Sequence, residues 1–301
     1  MNPFAGKDNI SLLITDSGLG GLSVCADIVQ NMNRYRSFKN VKLTYFNAWP
    51  EQYRGYNLLP DMAERIRVFD RALIGMERFK PDLIMIACNT LSTLYPQTAF
   101  SRSAAIPVID IIDFGVEMIY QELVSQPDSR AIILGTPTTI EANTHKTGLT
   151  EKGIRAERVI LQSCDQLAGE IEKNPDSETV RNMIDRYVSQ AALKAGDRKR
   201  PLLAAFCCTH YGYSHVIFKE ILERTFAGPV TILNPNQAMG NCLFPDGRQE
   251  TDDVHVDLEV VSKIIWSDEK IVSISKALET ISPETADALK HYRHDPELFT
   301  F

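Results

Sequence analysis

No apolar run in this chain approaches the ~18 consecutive residues that a membrane-spanning helix needs. The opening stretch, residues 1–16, lacks both a basic start and an apolar core of about 7–15 residues, so it is not expected to be a secretory signal. Basic charge is not in excess. Thirty-two Lys and Arg stand against 39 Asp and Glu, a net charge of −7. That balance disfavours a nucleic-acid partner, because sequence-independent binders carry a basic surplus. It leaves small anionic substrates open, since a site is local and net charge is global. The six cysteines, at 25, 88, 164, 207, 208 and 242, show no CxxC spacing, and no HxxxH motif accompanies them. No metal is therefore expected. With 301 residues and no export signal, the chain has no need of disulfide staples, and reduced thiols in the cytoplasm are the expectation. Low-complexity segments and short tandem repeats are absent. What is present is ordinary for a globular chain, 44% hydrophobic and 24% charged. The length suggests two domains.

Short apolar runs alternate with helical patterns. Strands are expected at residues 10–15, 41–46, 82–87, 107–112, 131–134, 158–161, 202–206 and 229–233. Helical stretches are expected near 21–32, 58–79, 90–100, 114–124, 139–150, 165–172, 178–194 and 214–225. In the second of these, Leu59, Met62, Ala63, Ile66, Phe69, Leu73 and Met76 repeat at helical spacing. Fully apolar strands separated by helices imply α/β architecture, with doubly wound parallel sheets covered on both faces. The strand–helix rhythm starts twice, at Ile10 and at Ala131, which gives a join near residue 112. Such sheets bind ligands at the carboxyl ends of their strands. The polar stretch 244–257 is expected to be a loop before a C-terminal extension.

Three segments carry chemistry. DSGLGGLS, Asp16 to Ser23, follows a strand and opens a helix. Its glycines suit a tight turn, but their spacing fits neither GxGxxG nor a P-loop, and Asp16 places a carboxylate at a strand end. ACNT, Ala87 to Thr90, sets Cys88 between an apolar strand and a helix, where the helix dipole is expected to lower its pKa. FCCTHYGY, Phe206 to Tyr213, repeats that grammar with Cys208, and His210 follows two residues later. Strand alternation turns Cys207 away from Cys208 and leaves it as a core residue. Two strand-end thiols in two halves suit inversion at one carbon. One thiolate removes an α-proton and the opposing thiol returns one. A buried-cysteine reading of each motif alone remains open.

DSGLGGLS, ACNT and CTHY, in this order and separation, resemble the glutamate racemases of the aspartate/glutamate racemase superfamily. The resemblance runs from about Ile10 to Met239 and includes GTPTT at 135–139 and LQSCDQLAGEIE ending at Glu172. It implies two doubly wound domains facing each other across an active-site cleft. The first domain would hold residues 1–112 plus 229–301 and the second residues 113–228. The resemblance implies that residues 244–301 pack on the first domain. It implies catalysis without a cofactor on a small acidic amino acid, a homodimer, and supply of the D-isomer for peptidoglycan. Residue by residue, Cys88 and Cys208 resemble the two bases. Asp16 resembles the carboxylate that assists the first, and His210 with Glu172 the groups that assist the second. Ser17, Asn89, Thr90, Thr139 and Thr209 resemble the residues that grip the amino acid.

The chain departs from the pattern after the second strand. Where the family has Asp followed by Pro–Tyr–Gly, this sequence has Ala48 and then Tyr53, Arg54 and Gly55. Arg54 is a candidate carboxylate clamp or a solvated surface arginine, and Gly55, the one residue of the segment that is retained, is a substrate-binding candidate by the same resemblance. Trp49 and Tyr56 are bulky additions, and Gly212 stands where proline is usual. These changes bear on the substrate side chain more than on racemisation. Aspartate racemisation, cysteine-dependent isomerisation of a related diacid, and a non-catalytic binding role stay open as alternatives.

Overall fold

The computed structural model describes residue 4, residues 7–244 and residues 254–301. The described residues form two compact units, Met1–Asp110 with Asn236–Phe301, and Ile111–Pro235. In the first unit the chain runs β1 (Asn9–Asp16), α1 (Leu22–Tyr35), β2 (Asn40–Asn47), α2 (Met62–Met76), β3 (Leu83–Ile86), α3 (Asn89–Leu94), α4 (Ala99–Ser103) and β4 (Val108–Asp110). The second unit adds α5 (Ile111–Ser125), β5 (Arg130–Gly135), α6 (Pro137–Ala142), α7 (Thr144–Glu151), β6 (Val159–Ser163), α8 (Leu167–Lys173), α9 (Glu178–Ala195), β7 (Leu202–Cys207), α10 (His215–Thr225) and β8 (Val230–Leu233). The chain then returns through α11 (Pro235–Asn241), β9 (His255–Ser262), α12 (Asp268–Leu278), α13 (Pro283–Lys290) and β10 (Arg293–His294).

Both sheets are parallel throughout, and each is built the same way. The first has strand order β10-β9-β2-β1-β3-β4, the second β6-β5-β7-β8. In each, the opening strand pairs its successor on one side and the third strand on the other. The winding direction therefore reverses between β1 and β3, and between β5 and β7. Crevices that bind ligands form at such reversals, outside the carboxyl ends of the strands.

Side-chain alternation covers both faces of the second sheet. Leu202, Ala204 and Phe206 of β7 pack with Ile184, Val188, Phe218 and Ile221 from α9 and α10. Leu203, Ala205 and Cys207 pack on the other face with Val116, Ile119 and Leu123 of α5. Strands buried on both faces read as continuous apolar runs, which is why these segments announce themselves in the sequence.

Several boundaries differ from the sequence reading. Ile111 and Ile112 are helical rather than the end of a strand. They begin a buried stripe that continues through Val116, Ile119 and Leu123 of α5. The first boundary accordingly falls after Asp110, not after 112. Val230–Leu233 pairs with β7, so the chain leaves the second unit after Pro235 rather than at 229. The stretch 139–150 is two helices, because Asn143 takes the left-handed conformation (φ 58°) between them. The stretch 90–100 is likewise split at Tyr95–Gln97, and Thr98 caps the helix that follows. Residues 254–301 are more than an extension. β9 pairs along its whole length with β2, from Asn40↔His255 to Asn47↔Ser262. Of the polar stretch 244–257, residues 245–253 lie outside the described residues.

Candidate active site

The register of each sheet fixes where its cysteine lands. In the first unit the last β1–β3 pair is Thr15↔Ile86, so two residues further along each chain Ser17 stands opposite Cys88. The Ser17 Oγ and Cys88 Sγ atoms are 3.2 Å apart. In the second unit the last β5–β7 pair is Gly135↔Cys207, so the next residues, Thr136 and Cys208, occupy the matching place. The two cysteines thus sit at equivalent topological positions, each 5% exposed. Cys207 and Cys208 pack on opposite faces of their sheet, with Cys207 in the α5 core.

The loop that carries Asp16 and Ser17 is held from below by buried polar groups. The Gly18 N–H donates to Asp16 Oδ1 at 2.9 Å. The Gly18 carbonyl accepts from the Tyr45 hydroxyl at 2.8 Å and from Asn47 Nδ2 at 2.9 Å. Asn47 Oδ1 accepts from the Ser262 hydroxyl of β9. Sequence reading gave no signal for these three supports, since which buried group a polar strand residue will pair with is settled only by the fold. Gly21 is required by space. A Cβ there would stand 2.7 Å from Asp16 Cβ and 3.2 Å from Ala87 Cβ. Gly21→Ala is therefore expected to cost about 1–3 kcal/mol in thermal denaturation. Gly169→Ala in α8, where an added Cβ meets nothing within 4 Å, should leave stability unchanged or slightly raised.

Electrostatics around Cys88 run against the sequence expectation. Burial is the largest influence and pushes its pKa up, and the charge of Asp16 pushes the same way. The Ser17 hydroxyl and the N–H groups of Leu91 and Ser17 pull it down but do not prevail. α3 is only six residues long, so its dipole is a weak opponent of desolvation. Cys88 is consequently a protonated thiol in this environment.

In the second unit Cys208, His210 and Glu172 form a buried relay. Cys208 Sγ lies 3.6 Å from His210 Nδ1, and His210 Nε2 lies 2.8 Å from Glu172 Oε1. His210 and Glu172 are 5% and 4% exposed. Burial alone would lower the His210 pKa. Hydrogen bonds to Cys208 and Glu172, with their charges, outweigh it and hold the imidazole well above its ordinary value. Gly212, in the place where proline is usual, lies in a short helical turn, Thr209–Ser214, that leaves this relay intact.

Asn89, Thr90, Thr139 and Thr209 are all buried. Asn89 and Thr90 open α3 directly after Cys88. Thr139 lies 3.0 Å from Thr136, hydroxyl to hydroxyl, in the capped first turn of α6. Thr209 directly follows Cys208. The Arg54 side chain is 45% exposed and lies 3.8 Å from Glu51. Gly55 packs so tightly on Trp49 that a Cβ would meet the indole at 2.6 Å. Among the described residues, no three His, Cys, Asp or Glu side chains are grouped to hold a metal ion, and no helix is long and apolar enough to cross a membrane.

Two parallel α/β units of one topology, each ending its third strand in a buried cysteine, define a two-cysteine α/β protein. Comparison with known proteins narrows the class. No family model matches the chain. A glutamate racemase from Chlorobaculum tepidum is 25% identical over 228 residues, covering 76% of this chain and 76% of that protein. The crystal structure of glutamate racemase from Campylobacter jejuni superposes with a TM-score of 0.66 at 18% identity, covering 90% of this chain and 97% of that one. Glutamate racemase from Francisella tularensis, solved in complex with D-glutamate, superposes with a TM-score of 0.66 at 19% identity, covering 91% and 94%. The chain is glutamate racemase-like in sequence and fold.

Proposed function

We propose that this protein is a cofactor-independent amino-acid racemase that interconverts L- and D-glutamate, with Cys88 and Cys208 as its two acid/base groups. The observation that carries the reading is the equivalence of the two thiols. Each lies at the end of the third strand of a sheet, at the reversal of winding, and each has a polar side chain beside its sulfur, Ser17 for Cys88 and His210 for Cys208. The thiolate of one cysteine takes the α-proton, so the C–H bond breaks as the S–H bond forms. The thiol of the other delivers its proton to the opposite face of the carbanion. The α-proton is weakly acidic, and Cys88, whose pKa burial has raised, is the stronger base once deprotonated. Asp16 assists Cys88, and His210 with Glu172 assists Cys208. Ser17, Asn89, Thr90, Thr139 and Thr209 hold the amino acid. Arg54 is left out of that grip because it pairs with Glu51 at the surface. A homodimer, a cytoplasmic setting and supply of D-glutamate for the cell wall complete the reading, supported by the resemblance alone.

The test is proton NMR of the purified protein in heavy water, with L- and D-glutamate and L- and D-aspartate supplied separately and no cofactor added. Loss of the α-proton signal of glutamate, with the opposite enantiomer appearing, is the expected result. Exchange of aspartate alone moves the substrate, and no exchange in any tube overturns the reading.

A further inference from the structure

The segment after β2, where the sequence departs from the pattern it otherwise resembles, is pinned in place. Trp49 Nε1 donates to the Glu51 carbonyl at 2.6 Å, and Gln52 makes two hydrogen bonds to the Ile265 backbone at 2.6 and 2.9 Å. Gly55 is extended against the Trp49 ring, and a short helical turn, Tyr56–Leu58, follows. The segment ends by turning Tyr56 inward. Its ring stands edge-on to Phe69, with centroids 6.4 Å apart, in the apolar cluster that also holds Ala48, Leu91 and Cys88.

The ring is well packed but its hydroxyl is not accommodated. Tyr56 is 2% exposed, and among the described residues its oxygen has no hydrogen-bond partner. A buried polar atom left in this state costs free energy, so proteins seldom keep one without use. Two other buried tyrosines are provided for: the Tyr45 hydroxyl donates to the Gly18 carbonyl and that of Tyr187 to the Asp165 carbonyl, whereas that of Tyr211 shares the state of Tyr56 among the described residues. Tyr56 is also close enough to Cys88 for negative charge on that sulfur to oppose ionisation of the phenol. Burial, the larger influence, does the same, so the hydroxyl keeps its proton and acts as a donor.

We propose that the Tyr56 hydroxyl donates a hydrogen bond to a carboxylate oxygen of the amino acid held against Cys88. The inference rests on the racemase reading. It supplies the carboxylate contact that Arg54, turned to solvent, does not make. A pinned loop and a fixed ring leave little side-chain entropy to lose on binding, which favours a contact of this kind.

The experiment is Tyr56→Phe, which removes the oxygen and keeps the ring. For glutamate, KM is expected to rise roughly 10- to 100-fold, the range of a hydrogen bond to a charged group. The kcat should change far less, because the contact is made in ground and transition states alike. Without substrate, the variant's Tm should equal or exceed that of the wild type, since an unbonded buried hydroxyl has been removed. A wild-type KM in the variant overturns the inference and leaves the racemase reading standing. So does a lowered Tm with unchanged KM, which would mark a structural hydroxyl. Absence of exchange in the wild-type protein overturns the racemase reading and this inference with it.

Discussion

Replacing either Cys88 or Cys208 by alanine is expected to reduce racemisation by at least about 10³-fold, the scale on which a positioned acid or base contributes. The more informative result lies in what each variant keeps. If Cys88 is gone, Cys208 can still remove the α-proton that faces it, but no thiol stands on the other side to complete the inversion. The carbanion then takes back a solvent-derived proton from the same side. One enantiomer exchanges its α-proton for deuterium and retains its configuration, while the other is inert. Cys208→Ala should show the complementary pattern, with exchange confined to the opposite enantiomer. Proton NMR in heavy water reads both outcomes directly. Racemisation at the wild-type rate in either variant, or exchange of the same enantiomer by both, is incompatible with two bases on opposite faces. Neither substitution should unfold the chain. Each removes one sulfur from the margin of a large core, a smaller loss than the Leu→Ala changes that cost about 2–5 kcal/mol.

Much of this arrangement was legible in the sequence, for identifiable reasons. ISLLIT and LLAAF declare β1 and β7 because strands buried on both faces are apolar without interruption. The same rule explains why β9 went unread. His255, Asp257 and Glu259 interrupt His255–Ser262 at alternate positions, and this strand is only fully buried in its last three residues. The cysteine motifs place both thiols correctly, since position at a strand end is a property of order along the chain. The pKa of Cys88 is not such a property. It depends on how completely the surrounding elements exclude water, and that exclusion outweighs the short helix the sequence does reveal. Tyr56 shows the same limit. In the sequence it is a bulky residue beside a glycine. Its meaning comes from a turn that buries its oxygen without a partner.

Glu172→Gln tests the other half of the site through the charge on His210. The carboxylate is 2.8 Å from Nε2 and is one of the two groups that hold the imidazole protonated against the opposing effect of burial. A neutral amide keeps the shape and an acceptor but not the charge, so the desolvation of His210 is less opposed and its pKa should fall. A proton on His210 compensates the negative charge Cys208 must carry when it acts as base. Without it, kcat/KM is expected to fall about 10- to 100-fold. Enantiomers have equal free energies in water, so the loss must be the same in both directions. The alkaline limb of the pH profile should move toward lower pH. Stability gives an independent reading with a definite sign. The folded-state pKa of His210 is raised, so the stabilisation it brings is fully present below the unfolded value of about 6.5 and is lost as pH rises through the folded value. The Tm of the wild type should therefore exceed that of Glu172→Gln by the widest margin near about pH 6, and the two should converge as the pH climbs. A gap that widens with increasing pH would mean that His210 is neutral in the folded protein. Cys208 would then have to find its compensating charge elsewhere, as in the ammonium group of the substrate.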